Sequence, residues 1–171
     1  MATDCANVLE HTMRVVWLAL LIARREGRPV DENKVMKMAL IHDLAEARTS
    51  DLSYVQKKYA TADEERAADD MFADTLLPDC RELLREYDER TCLEAHIVKD
   101  ADHLDIDMEM KEFEEKGHTL PGKWAEYREK IIRDKKLYTQ AAREMWNEIK
   151  MSEPSDWHMT SNKYEDWKKE L

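Results

Sequence analysis

Two histidines and two aspartates stand in order along this chain: His11, the adjacent pair His42-Asp43, and Asp102, each in a segment that reads as helix. Neutral imidazoles and carboxylates make a mixed nitrogen and oxygen donor set, suited to a divalent metal of the kind that activates water. The chemistry they point to is metal-assisted hydrolysis. His42 and Asp102 fall on apolar stripes of different helices, and desolvating a charge costs several kcal/mol unless it is paired or coordinated. One cation would satisfy both; the plainer alternative is a hydrogen-bonded core histidine and an aspartate paired with Lys or Arg.

The elements that must carry these groups are helices. The first is expected over residues 4–26, stopped by Gly27 with Pro29 beyond it. Asp31 caps a second helix that should run to Ala47, with Val30 and Val35 placed as a hydrophobic staple. On it Val35, Met38, Ala39, His42 and Glu46 share one stripe, so His42 faces inward, while Asp43 lies about 100° further round and reaches the same point. The short polar side chains of residues 48–53 break the periodicity and form a loop beside the site.

A third helix follows a capping-box pattern at Thr61 and Glu64, with Met71, Phe72, Leu76 and Leu77 buried and Pro78 as terminator. Asp79 with Glu82, and Thr91 with Glu94, repeat that pattern for a short helix and for a long one ending near Gly117. In the long helix Ala95, Val98, Asp102, Ile106, Glu109 and Phe113 form a stripe. Two more helices are expected over residues 124–133 and 139–150. Residues 1–150 form one helical domain, and residues 151–171 an aromatic, charged tail that packs on the domain or on a second subunit.

The 171 residues suffice for one domain with a core; 3 Gly and 4 Pro against 38% charged and 43% hydrophobic residues describe an all-α chain with short connections. A net charge of -11 disfavours a nucleic-acid polymer, which is held by clustered Lys and Arg. Cys5, Cys80 and Cys92 lack zinc-finger or CxxC spacing and read as reduced thiols. No run reaches the length of a membrane span, so the expected setting is cytoplasmic, without a membrane partner.

The segments Leu9-Glu10-His11-Thr12, Ala39-Leu40-Ile41-His42-Asp43-Leu44 and Lys99-Asp100-Ala101-Asp102-His103-Leu104 resemble the H…HD…D pattern of the HD-domain metal-dependent phosphohydrolases. Glu46, three residues after the HD pair, and Thr49-Ser50-Asp51-Leu52 are similar to the 5'-deoxynucleotidase-like (YfbR-like) branch, whose members carry T-G-D-L there; Ser50 replaces the Gly. The resemblance implies an HD-domain helical bundle in which His11, His42, Asp43 and Asp102 hold one divalent transition metal ion (Mn, Co, Fe, Ni or Zn). It also implies that Glu46 orients or deprotonates the attacking water and that Asp51 assists the leaving sugar oxygen or positions the sugar.

Arg14, Arg48 and Thr49 flank these positions as candidate substrate-binding residues, the arginines through planar donor forks that match phosphate. The expected substrate is a small phosphorylated molecule, a nucleoside or deoxynucleoside 5'-monophosphate, and the branch implies a homodimer. In the family an Arg-Trp pair upstream of the first ligand helps hold phosphate and sugar; the ten residues before His11 contain none, which leaves the aromatic tail to close the pocket or another ester as substrate. Two rivals stand beside this reading. One is hydrolysis of a nucleoside triphosphate or ppGpp, which needs a denser basic pocket than the sequence displays; the other is a non-catalytic helical binding protein with a structural metal. The aromatics Trp124, Tyr127, Trp146, Trp157 and Trp167 read as packing or interface residues rather than base-stacking ones.

Overall fold

The computed structural model describes residues 6–160, with side chains through residue 158. Asn7 opens helix α1 (Val8–Arg25): its side chain accepts from Leu9 N (3.0 Å) and Glu10 N (3.1 Å), while the Glu10 carboxylate takes Asn7 N (3.0 Å). This reciprocal capping box sets the start later than expected. Asp4 lies outside the described residues. Gly27, at φ 72°, turns the chain after α1. Asp31 caps α2 (Glu32–Ile41) as expected.

Helix α2 stops at Ile41 rather than Ala47. Over residues 42–45 the backbone tightens into turns, with Leu44 N bonding Ile41 O (2.9 Å) and Glu46 N bonding Asp43 O (3.0 Å). A one-turn helix α3 (Glu46–Thr49) follows. The His42-Asp43 pair thus sits at the end of α2 and on the turn after it, from which both side chains reach His11.

Beyond a 3-10 turn at Gln56–Lys58 come α4 (Glu64–Phe72) and α5 (Pro78–Glu89). Asp63, not Thr61, caps α4, and Pro78 begins α5 in place of ending α4, a position where its missing N–H costs nothing. Leu76 is 97% exposed and Leu77 is exposed too, because they fall in the connection past α4. The long α6 (Leu93–Glu115) starts after Cys92 without a side-chain cap; Glu94 instead accepts Asp31 N (3.1 Å), tying the starts of α2 and α6 together.

Pro121 lies in the first turn of α7 (Leu120–Tyr127), which runs into a wide π-helical segment, Arg128–Lys136. The chain then enters α8 (Gln140–Met151), capped by Thr139, and ends in α9 (Trp157–Thr160). Ser155 N bonds the Glu115 carboxylate at 3.0 Å, so the start of the expected tail lies beside the end of α6. Trp157 is exposed, and Tyr164 and Trp167 lie outside the described residues.

The bundle is all-α, and α6 is its axis, packed against α1, α2 and α8. Val15, Leu18 and Ile22 of α1, Val35 and Met38 of α2, and Ile97, Val98 and Leu104 of α6 are buried. Burying each such side chain stabilises the fold by roughly 1.5–3 kcal/mol. That packing holds α1, the end of α2 and the middle of α6 in fixed register, which is what a site shared among them requires.

Candidate metal centre

Of the four groups expected to act together, His11, His42 and Asp102 bring ligand atoms into one cluster, and Asp43 lies against both histidines. His11 Nε2 lies 3.3 Å from His42 Nε2, 3.3 Å from Asp43 Oδ2 and 3.5 Å from Asp102 Oδ1, and His42 Nε2 lies 3.2 Å from Asp43 Oδ2. The ligand atoms of His11, His42 and Asp102 all lie within 4.8 Å of one another. Two ligands bound at ~2.1 Å and subtending roughly 90–110° at an ion stand about 3.0–3.4 Å apart. The separations from His11 Nε2, and that between His42 and Asp43, lie near those edges, so the cluster of His11, His42 and Asp102 is capable of coordinating one divalent ion.

The outer ring nitrogens fix which way the lone pairs point. His42 Nδ1 bonds the Ala39 carbonyl (2.8 Å) and His11 Nδ1 bonds Asp105 Oδ2 (2.7 Å); both partners are acceptors, so each Nδ1 carries the hydrogen and each Nε2 is left with a free lone pair. Two such lone pairs facing each other need a cation or a proton between them. Burial opposes charge on His11, yet hydrogen bonds to Asp105 and Asp43 and the nearby carboxylates raise its pKa to about 10. Burial likewise opposes charge on Asp43, but bonds from His11 and His42 hold its carboxyl well below the usual range. Asp102 is also lowered: its burial is outweighed by Lys99, whose Nζ donates to Oδ2 at 2.6 Å.

The cluster opens on a cavity of about 490 Å³, and Glu46, Asp51 and Arg14 line it. Glu46 comes there from the start of α3, not along an unbroken α2 stripe. Burial, then the carboxylates of Asp43, Asp51 and Glu64, push its pKa up to about 7. Arg14 turns its fork on Asp105, donating from Nε (2.5 Å) and Nη2 (3.0 Å), so it braces the His11 partner while lining the cavity. Arg48 is exposed on the outer side of α3 and Thr49 donates to Ala45 O (3.3 Å); neither lines the cavity, because α3 presents only Glu46 to it.

Asp105, Lys99 and Lys57 were not singled out from sequence. Asp105 is 2% exposed and orients His11; Lys99 and Lys57 line the cavity. Spacing held a signal for two of them: Lys99 and Asp105 stand three residues either side of Asp102, on the same side of a helix.

The HD domain profile matches residues 2–150. The chain belongs to the HD domain family. Among HD relatives, the protein called 5'-deoxynucleotidase HDDC2 in Dictyostelium discoideum is 28% identical over 128 residues, 68% of this chain and 67% of that protein. The Danio rerio protein of the same name is 30% identical over 115 residues, 64% of this chain and 56% of its own length. The chain thus spans between about half and two thirds of the curated relatives it matches. Among solved structures, a conserved hypothetical protein from Pyrococcus furiosus superposes with a TM-score of 0.71 at 29% identity, covering 86% of this chain and 85% of that one. A Pyrococcus horikoshii protein follows at 0.69 and 27%, covering 86% and 84%.

Proposed function

We propose that this HD domain is a divalent-metal-dependent phosphohydrolase that removes phosphate from nucleoside 5'-monophosphates, deoxynucleotides among them. The observation that carries the reading is the cluster of His11, His42 and Asp102, with Asp43 against both histidines, on a cavity large enough for a nucleotide that Glu46 also lines. The relatives' names support the substrate class.

When bound, the ion polarises a phosphoryl oxygen and makes water a stronger nucleophile at neutral pH. Among Mn, Co, Fe, Ni and Zn, two imidazoles and two carboxylates do not dictate one. Glu46, held near neutrality by burial and its acidic neighbours, takes the proton from the attacking water. Asp51 stands on the same wall to position the sugar or assist its leaving oxygen. Arg14 and Lys99 face the phosphate, and their charge offsets that of the phosphoryl group in an otherwise acidic chain.

We further propose a homodimer in a cytoplasmic setting. An exposed apolar stripe along α1, made of Leu9, Met13, Trp17 and Leu21, supports the first, and the free thiols Cys80 and Cys92 support the second. Among the described residues no helix is long and apolar enough to cross a membrane.

The deciding experiment is phosphate release from a panel of ribo- and deoxynucleoside 5'-monophosphates, using metal-stripped protein reloaded in turn with Mn, Co, Fe, Ni and Zn. Metal-dependent release lost in both His42→Ala and Glu46→Ala is the expected result. Retained function in Glu46→Ala would favour a structural role for the ion.

A further inference from the structure

A second cavity, of about 630 Å³, lies on the other side of a ridge formed by Lys99 and His103, which line both it and the metal-site cavity. The two ridge residues are one helical turn apart on α6. Its chemistry is the reverse of the chain's: five of the eight lining residues are Arg90, Lys99, Lys135, Lys136 and Arg143, and none is a carboxylate. The protein as a whole carries 38 acidic residues against 27 basic ones, so this is local concentration, not background.

The cations of this basin are poorly matched within the fold. Lys99 pairs with Asp102, but Arg90, Lys135, Lys136 and Arg143 form no ion pair among the described residues. Arg143 donates to the Leu137 carbonyl, and the Arg90 guanidinium lies 3.9 Å from the centre of the Tyr87 ring. Arg90 Nη1 is buried and has no hydrogen-bond partner, an arrangement that costs free energy until an acceptor arrives. Carboxylates stand only at its edge, Asp102 on Lys99 and Asp88 and Asp100 near Arg90 and Arg143, so the excess of positive charge in the basin attracts an anion.

We propose that this basin is a phosphoanion site separate from the metal centre, with Lys135, Lys136, Arg143 and Arg90 receiving a phosphate and Lys99 and His103 joining it to the catalytic cavity. Multiple donors around one multiply charged group form charge-assisted bonds, which are the strong ones. Two sources share that chemistry. A substrate with one phosphate at the metal centre could place a second phosphate here, or a separate phosphoanion could bind while a monophosphate occupies the active site. The basin stands on its own geometry; only its link to substrate choice rests on the proposed phosphohydrolase activity.

The test titrates inorganic pyrophosphate calorimetrically into the full chain without added divalent metal, comparing it with Lys135→Gln/Lys136→Gln, two exposed substitutions outside the catalytic cavity. The double variant is expected to bind at least about tenfold more weakly, with a reduced salt dependence. Unchanged affinity overturns the proposal, since pyrophosphate would then be held at the metal centre or elsewhere. The kinetic arm separates the two sources. A kcat/KM lowered about tenfold for a nucleoside 3',5'-bisphosphate, but not for the 5'-monophosphate, identifies the substrate's own second phosphate. Unchanged kcat/KM for both, with pyrophosphate binding lost, identifies a separate anion. A protein that binds pyrophosphate through the basin but turns over no nucleotide retains this site while the phosphohydrolase reading fails.

Discussion

Helix α6 carries four aspartates within eight residues, and two of them do a different job from the other two. Asp100 accepts from Tyr138 N (2.7 Å), Thr139 N (2.8 Å) and Thr139 Oγ1 (2.7 Å), which fastens the start of α8. Asp107 takes both arms of Arg128, Nε at 2.9 Å and Nη2 at 2.5 Å. These carboxylates are satisfied within the fold. Asp102 gives one oxygen to Lys99 and aims the other at His11, while Asp105 orients that same ring. At about 100° per residue, Asp107 returns to within about 20° of Asp100, whereas Asp102 and Asp105 lie about 200° and 140° round. One face of the helix holds the bundle together and the other faces the candidate metal centre. What marks the functional face is the partner it meets: Asp102 and Asp105 both bear on the His11 ring, whereas Asp100 and Asp107 bear on groups that fasten other elements of the bundle.

Substitutions on the two faces should therefore fail differently. His42→Ala is expected to abolish metal binding and turnover together, with the helical fold kept, as read by metal analysis, phosphate release and circular dichroism. Asp107→Ala should do the opposite: stranding the buried Arg128 costs about 3–5 kcal/mol in urea denaturation, with metal affinity retained. A loss of metal in Asp107→Ala equal to that in His42→Ala would end the distinction between the faces.

Glu46→Gln sharpens it within the site. Turnover should fall about 10²–10⁴-fold while metal affinity holds, since in the proposed mechanism this group moves a proton and holds no ion. A base works only when deprotonated, so the wild-type rate rises with pH as Glu46, with its pKa near 7, loses its proton; a bound cation moves that limb lower. The limb should vanish in Glu46→Gln. Asp105→Asn should lower metal affinity by about 10–100-fold, the usual cost of losing the partner that orients a ligand histidine, measured by competition with a chelator. It should leave the Asp100 and Asp107 contacts untouched.

Much of this was legible in the sequence, and for identifiable reasons. His11, His42, Asp43 and Asp102 were visible because their order and context are unusual and because periodic stripes place a helical residue well. The turn at residues 42–45 was hidden: Leu44, Ala45, Glu46 and Ala47 all favour helix, and tertiary packing ended α2 against local preference. Asp100 and Asp107 could not be sorted from Asp102 and Asp105 without knowing that Tyr138, Thr139 and Arg128 stand opposite. The basic basin was hidden more deeply, since residues from 90 to 143 build it and the basic stretch 128–136 supplies only Lys135 and Lys136 to it. Arg48 shows the converse: nearness in sequence to Glu46 does not bring it to the cavity, since it stands exposed on a one-turn helix.

The smallest expected effect concerns the loop that delivers Asp51. Ser50 has φ 65° and ψ 148°, a region that side chains bearing a Cβ rarely adopt and that glycine reaches freely. The related pattern has glycine at this position, so the fold has kept the backbone shape while the residue changed. Such strain costs roughly 1–3 kcal/mol, against which glycine loses about 0.4–1 kcal/mol through the greater freedom of the unfolded chain. Ser50→Gly should then raise stability by about 1 kcal/mol in urea denaturation, with turnover close to wild type because Asp51 keeps its place. If stability falls instead, the loop is not strained.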